Sequence, residues 1–243
     1  PKILTAFNNQ LGLRSNPKQI ASIICNEFGI PISQQTIYRY IWEDRNNGGK
    51  LYKYLRRKSK KIRHKSKLVK VRINNKKSID LRLKRIVLMM TAGHWEVDTI
   101  FGLDQKSFLL TMVDIATMYT IIVKLPNKEA ATIEAAINSV IASSLLPFLS
   151  ITSDNGTEFA NHENISAKNN IDWFFCHPYC SGERGLNENT NGLIRDFYPK
   201  RTDFRLVPDE DIKEVQNILN TRPRERIGFI RPAHAMVTHL MAA

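Results

Sequence analysis

Between His94 and Leu125 the chain carries three apolar runs in close succession, HWEVDTIF, FLLTMVDI and MYTIIVKL, and these restrict the possible folds more than any other feature. The first run alternates. His94, Glu96, Asp98 and Ile100 fall on one face, and Trp95, Val97, Thr99 and Phe101 on the other. GLDQKS reads as a hairpin connection to the second run, and Pro126-Asn127 ends the third. Ala130, Ile133, Ile137, Val140 and Ile141 then mark one side of a helix, FLSITSD is a short buried strand, NGTEF a turn and IDWFF a further strand. A polar segment near HENISAKNN separates the last two strands, and helices around Glu188 and from Pro208 to Asn220 follow. Antiparallel strands succeeded by strand–helix alternation predict an α/β fold of ribonuclease H-like order: a mixed five-stranded sheet with helices on both faces.

Upstream, the texture differs. Asn16 can cap a helix beginning at Pro17, with Ile20, Ile23, Ile24 and Phe28 at helical spacing, and Gly29-Ile30-Pro31 stops it. Ser33 offers a second cap before Ile37, Tyr40 and Ile41. Two short helices across a tight turn form a helix-turn-helix pattern, whose second helix would present Gln34, Gln35, Tyr38 and Arg39 to a DNA groove. From Lys50 to Arg85 there are seventeen Lys/Arg and a single acid, Asp80; the nineteen basic and twenty-two acidic residues elsewhere sum to −3, so this segment holds all of the formal +13. Such a run predicts a nucleic-acid-binding arm, with Arg56, Arg57, Lys58, Lys60, Lys61 and Arg63 at its centre, against the plainer reading of a solvated linker. The expected division is a helix-turn-helix domain over 1–48, a basic arm over 49–90 and a ribonuclease H-like domain over 91–243.

No window is long and apolar enough for a membrane span, and the N-terminus lacks the form of a signal peptide, so the expectation is a soluble intracellular protein. Cys25, Cys176 and Cys180 form no disulfide framework; Cys176-His177-x-x-Cys180 resembles half a zinc site, but free thiols are the default reading. The chain begins at Pro1 rather than Met, as expected of a piece of a longer protein.

Asp98 lies within the first strand, and Asp154 ends the fourth, immediately before the Asn155-Gly156 turn. Carboxylates from two strands meeting at one sheet edge must share a proton or bind cations, and Mg²⁺ is the hard cation suited to carboxylate oxygens. Two such ions about 4 Å apart can support in-line phosphodiester displacement. Glu188 would be a third ligand: it sits about 140° from Leu193 on a helix, beside Asn191 and Arg195, away from the apolar stripe of Leu186, Leu193, Ile194 and Phe197. A plain helix-dipole role for Glu188 explains its position equally well. Glu96, Asp114, Glu158 and Glu183 are rivals that spacing alone leaves open.

The words GHWEVDTIFG, LLTMVDIATMYTIIVKLPNKEA, ITSDNGTEFANHENI and RGLNENTNGLIRDFYPKRTDF, with LYKYLRRK upstream and LNTRPRERIGFIRPAHAM downstream, resemble the IS30 family of bacterial insertion-sequence transposases. The likeness runs from about Ser15 to Pro232. It implies a DDE-type, ribonuclease H-like catalytic core with Asp98, Asp154 and Glu188 as catalytic and metal-binding acids, Asp98 shared by two Mg²⁺ and Mn²⁺ able to substitute. It also implies double-stranded DNA as partner, both inverted-repeat ends and target. The reaction would be strand cleavage by water, then attack of the released 3′-OH on a second phosphate, through joined-end or circular intermediates. Synapsis of two ends implies a homodimer or larger assembly, in a bacterial cytoplasm at the nucleoid. Arg184, Asn189, Asn191 and Arg195 would then line the DNA side of the Glu188 helix, with helix solvation as the plainer role for the asparagines. The sequence departs from the family's Ser-Pro-Trp-Gln-like stretch, having Cys180-Ser181-Gly182-Glu183 before Arg184, which brings an extra acid near the site. Members usually carry another N-terminal helix-turn-helix ahead of the region present here. The alternative function is a transposase-derived DNA-binding regulator with an inert core; a lone nuclease has no need of the helix-turn-helix and arm.

Overall fold

A computed structural model describes residues 2–55, 73–82, 91–178 and 180–242. The chain forms two compact units, one of Pro1–Leu68 with Arg222–Arg231, the other of Val69–Thr221 with Pro232–Ala243.

In the first unit, α1 (Lys2–Gly12), α2 (Pro17–Phe28) and α3 (Gln34–Asn46) bury Phe7, Leu11, Ile20, Ile24, Ile37 and Ile41 against one another. The boundaries follow local chemistry. The Asn16 side chain accepts the Gln19 N–H, and the Gln19 side chain accepts that of Asn16, a reciprocal capping box with Pro17 at the first helical position. Gly29, at φ 68°, closes α2 in the left-handed conformation that glycine adopts without strain, its N–H returning to Cys25 O. Ser33 caps α3 through the Thr36 N–H. α1 was not among the expected elements, although Ile3, Phe7 and Leu11 recur every four residues. The segment 222–231 lies along this unit, with Pro223 O accepting from the Gln19 side chain at 2.6 Å. Asn16→Ala removes the side-chain acceptor of the capping box, leaving only the backbone half, and is expected to lower stability by about 1 kcal/mol, whereas Asn16→Ser keeps the cap. Urea titration of both variants checks this, and equal midpoints would sink the capping account.

In the second unit, β1 (Lys77–Ser78), β2 (His94–Phe101), β3 (Phe108–Asp114), β4 (Thr120–Leu125), β5 (Ser150–Ser153) and β6 (Asp172–Phe175) form one sheet in the order β1-β6-β5-β2-β3-β4. The meander β2-β3-β4 is antiparallel, and β2-β5, β5-β6 and β6-β1 are parallel. The sheet therefore has six strands among the described residues, one more than expected. The sixth is a two-residue pairing of Lys77-Ser78 with Phe174-Phe175, inside the stretch read as arm. Its backbone makes the pairing, and Lys76-Lys77 offers no apolar alternation that would reveal it. Lys77 also reaches Asp172 at 2.8 Å.

The two faces of the sheet carry separate cores, as the alternation in β2 requires. Trp95 and Val97 pack with Ile133 and Ile137 of α4 (Ala130–Ser143), Ile165 of α5 (His162–Asn169) and Trp173. Ile100, on the opposite face, packs with Leu109 and Ile122. The same cluster holds Leu193 and Ile194 of α6 (Gly185–Phe197) and Ile212, Val215 and Leu219 of α7 (Asp209–Thr221). α8 (Pro232–Met241) follows α7 within this unit. Central strands covered on both sides explain why β3 is buried at every position and reads as a continuous apolar run. No helix among the described residues is long and apolar enough to cross a membrane.

Candidate active site

Parallel pairing of β2 with β5 sets His94 against Ser150, Trp95 against Ile151 and Glu96 against Thr152. Asp98 and Asp154 each lie two residues beyond that last pair, so the two acids come level at the C-terminal edge of adjacent strands. β5 ends at Ser153 because Asp154 turns the chain: its Oδ1 accepts the Gly156 N–H at 2.9 Å, an Asx-type turn. Gly156 suits this turn for a second reason. A Cβ there would meet the Glu158 carboxylate at 2.3 Å.

Asp98 is held from several sides. Its Oδ1 accepts the Thr99 N–H at 2.8 Å, and its Oδ2 accepts from Asn191 Nδ2 at 2.9 Å. Thr111, opposite Asp98 on β3, donates to Asn191 Oδ1 at 2.9 Å, so strand β3 fixes the asparagine that fixes the aspartate. Asn191 stands on the polar side of α6 because Leu193 and Ile194 anchor the apolar side in the core.

One guanidinium joins the two aspartates. Arg184 contacts Asp154 Oδ2 at 3.1 Å and Asp98 Oδ1 at 3.5 Å, and also donates to Val97 O at 3.1 Å. Its side chain is only 9% exposed, against 21% for Asp98 and 41% for Asp154. Burial pushes the Asp98 carboxyl above its ordinary range; Arg184 opposes that shift and the nearby Asp154 adds to it. For Arg184, burial works against the charged form, yet the two aspartates outweigh it and hold the guanidinium more firmly protonated than usual. This residue, expected on the DNA side of the helix, is turned inward by that charge. No spacing rule in the sequence signals such a role.

The rival acids have structural partners. Glu96 is buried and accepts the Asn187 N–H at 3.1 Å, in the first turn of α6. Asp114 accepts from the Gly93 and Thr117 amides and the Thr117 hydroxyl, fixing the turn after β3. Glu158 is buried with Lys128 at 2.7 Å and Thr99 at 3.3 Å. Glu183 accepts the His177 N–H at 2.8 Å and meets its Nδ1 at 2.8 Å, while His177 Nε2 meets Asp80 at 3.0 Å. These acids raise the His177 pKa, chiefly through the Glu183 hydrogen bond.

Glu188 lies exposed in the first turn of α6. Among the described residues no three of His, Cys, Asp and Glu are grouped so as to hold a metal ion. Asn189 is exposed, and Arg195 is half-buried, donating to Phe101 O. Gln34, Gln35, Tyr38 and Arg39 are all exposed on α3. Arg56, Arg57, Lys58, Lys60, Lys61 and Arg63 lie outside the described residues. Cys176 is buried, its thiol pushed up to about 12 mainly by desolvation, and Cys180 is exposed; both are free.

Comparison with known proteins gives this geometry a context. Residues 90–181 match the family model described as "Integrase core domain". The chain is 42% identical over 219 residues to the transposase for insertion sequence element IS4351 of Bacteroides fragilis, covering 89% of this chain and 67% of that protein. It is 31% identical over 237 residues to transposase InsI for insertion sequence element IS30A of Escherichia coli (strain K12), covering 92% of this chain and 61% of that one. The chain thus spans about two thirds or less of the length of these curated relatives. Among solved structures, the catalytic core domain of BIV integrase is similar at 18% identity with a TM-score of 0.49, over 62% of this chain and 97% of that one. On the kinship with the IS4351 and IS30A proteins, this chain belongs to the IS30 family of insertion-sequence transposases.

Proposed function

We propose that this chain is the DNA-cleaving and strand-joining part of a transposase, acting on the inverted-repeat ends of its element and then on target DNA. The observation that carries the proposal is the pair Asp98 and Asp154, level on adjacent parallel strands in a chain 42% identical to a transposase and already bridged by a cationic group. Core domains of this kind generally use divalent metal ions. The donors suit such ions: both are carboxylates, both retain solvent access, and the guanidinium between them stands where positive charge is needed. Asp98, Asp154 and Glu188 are the proposed ligands, for two Mg²⁺ with Mn²⁺ as a substitute. The chemistry such cations supply is activation of the attacking oxygen and stabilisation of the leaving one.

The remaining work belongs to the protein. Asn191 and the Thr99 amide keep the Asp98 carboxylate in one orientation. Asn189 and Arg195 border the same helix and are the proposed strand contacts, neutral or positive beside an acidic centre. In this reading residues 1–48 contribute to end recognition through Gln34, Gln35, Tyr38 and Arg39, the arm over 49–90 tracks phosphates, and 91–243 carry out the chemistry. A homodimer or larger assembly, in which two ends are held together, is part of the proposal, as is residence at the bacterial nucleoid. The inert-regulator alternative has no observation in its favour, since all three acids are present.

Labelled inverted-repeat DNA incubated with the purified chain and Mg²⁺ or Mn²⁺ tests the reading. Wild type is expected to nick and join ends, and Glu188→Gln to lose at least about 10²-fold in cleavage, equivalent to about 3 kcal/mol of barrier. Normal cleavage by Glu188→Gln would remove that residue from the site. Tight binding by wild type with neither nicking nor joining would establish the regulator instead. Binding should also weaken steeply with salt if the arm contacts phosphates.

A further inference from the structure

We propose that Arg184 is an internal cation that occupies the aspartate pair in competition with divalent metal, so that metal enters only as the guanidinium withdraws. The inference rests on the metal-binding reading of Asp98 and Asp154 given above.

Three observations lead to it. First, the contacts compete directly. Arg184 occupies Asp98 Oδ1 and Asp154 Oδ2, one oxygen of each carboxylate proposed to hold the cation. Magnesium requires carboxylate oxygens at about 2.0–2.1 Å in near-octahedral order. A guanidinium at 3.1 and 3.5 Å from the same oxygens stands in that space and repels the incoming charge.

Second, the guanidinium is built into the site rather than resting on it. Its side chain is 9% exposed, and a third contact, to Val97 O, ties it to the strand that carries Asp98. A surface arginine that happened to reach an acid would keep most of its hydration. This one has given it up for two carboxylates and a carbonyl.

Third, its place in the chain couples it to Glu188. Arg184 ends a short 3-10 turn, Ser181–Arg184, and α6 begins at the next residue. The preceding residue, Glu183, is anchored to His177, and His177 to Asp80. Glu188 lies exposed in the first turn of α6, four residues after Arg184. In the proposal, withdrawal of Arg184 moves the junction between that turn and α6, and the same movement shifts the first turn, where Glu188 resides. Release of the internal cation and recruitment of the third acid are in this view one rearrangement, and the freed guanidinium becomes available to a DNA phosphate.

The test measures metal binding by the full chain, without DNA. Mn²⁺ titration followed by electron paramagnetic resonance is expected to show at least about tenfold tighter binding by Arg184→Gln than by wild type, and the gain should vanish in the double variant with Asp154→Asn. A folded Arg184→Gln protein whose Mn²⁺ affinity is unchanged or weaker overturns the proposal. An independent measurement needs no variant that could misfold: Mg²⁺ titration of wild type labelled with ¹⁵N-arginine. The Arg184 guanidinium signal is expected to shift as metal binds, and a signal unchanged up to saturation overturns the idea. If instead neither Asp98→Asn nor Asp154→Asn alters the Mn²⁺ affinity of the chain, the metal site itself is wrongly assigned, and the role of Arg184 falls with it.

Discussion

Asp98→Asn is expected to reduce DNA strand cleavage by at least about 10³-fold, a barrier increase of about 4 kcal/mol, while leaving the protein folded. The loss follows from charge: asparagine can keep a hydrogen bond with its neighbours but cannot hold a cation or balance Arg184. The effect on stability runs the other way. Burial raises the folded-state pKa of Asp98 above its ordinary value of 3.8. Between the unfolded and folded pKa values the folded protein therefore binds more protons than the unfolded chain. Stability contributed by this group consequently falls as pH rises from the unfolded value through the folded one. At neutral pH the ionised carboxylate is a burden on the fold, and Asp98→Asn should melt at the same temperature as wild type or higher. Lost cleavage with undiminished melting temperature is the signature of a residue kept for chemistry. Lost cleavage accompanied by a large drop in melting temperature would instead make Asp98 a structural group.

Trp173→Ala is expected to have the largest effect on stability, about 3–5 kcal/mol. The side chain is 2% exposed and packs against Phe159, His162 and Phe175 on the α4/α5 side of the sheet. Its loss leaves a cavity that strands β5 and β6 cannot close without disturbing their pairing. The indole also donates to Ser153 Oγ at 2.9 Å, and Ser153 in turn donates to Asp154 O at 3.0 Å. The variant should thus loosen the end of β5 and weaken cleavage even where enough protein remains folded. Trp173→Phe fills most of the volume and loses only the indole hydrogen bond, a change of about 1 kcal/mol. Urea unfolding of the two variants separates packing from polar anchoring. If Trp173→Ala unfolds within about 1 kcal/mol of wild type, the core described around it is not what holds β5 and β6 together.

Much of the sheet was legible. The β2 run HWEVDTIF matches its strand from end to end, and its alternation assigned Trp95 and Val97 to one core and Ile100 to the other. The Leu186, Leu193 and Ile194 stripe likewise identified the buried side of α6. Such signals survive in sequence because each residue reports its own face through polarity. The pairing of Lys77-Ser78 left no such trace, since backbone amides and carbonyls made it. For the acids, polarity was silent too. Glu96, Asp98, Asp114 and Glu158 are alike in a sequence, and only their partners distinguish the carboxylate that caps a turn or meets a lysine from the one that faces solvent beside a second acid.

By itself, then, the sequence determined the order of the elements from β2 onward and the α2–α3 pair, the two buried faces, the caps at Asn16 and Ser33, and a set of candidate acids, all of them properties set by neighbours within a few residues. Tertiary structure alone decided that Asp98 and Asp154 stand level, that Asn191 orients one of them through Thr111, and that Arg184 lies between both. Those facts depend on register between strands more than fifty residues apart in the chain and on the reach of a long side chain from a turn. The electrostatic energy of the site depends on distances of a few ångströms and on exclusion of water, and no local pattern encodes either.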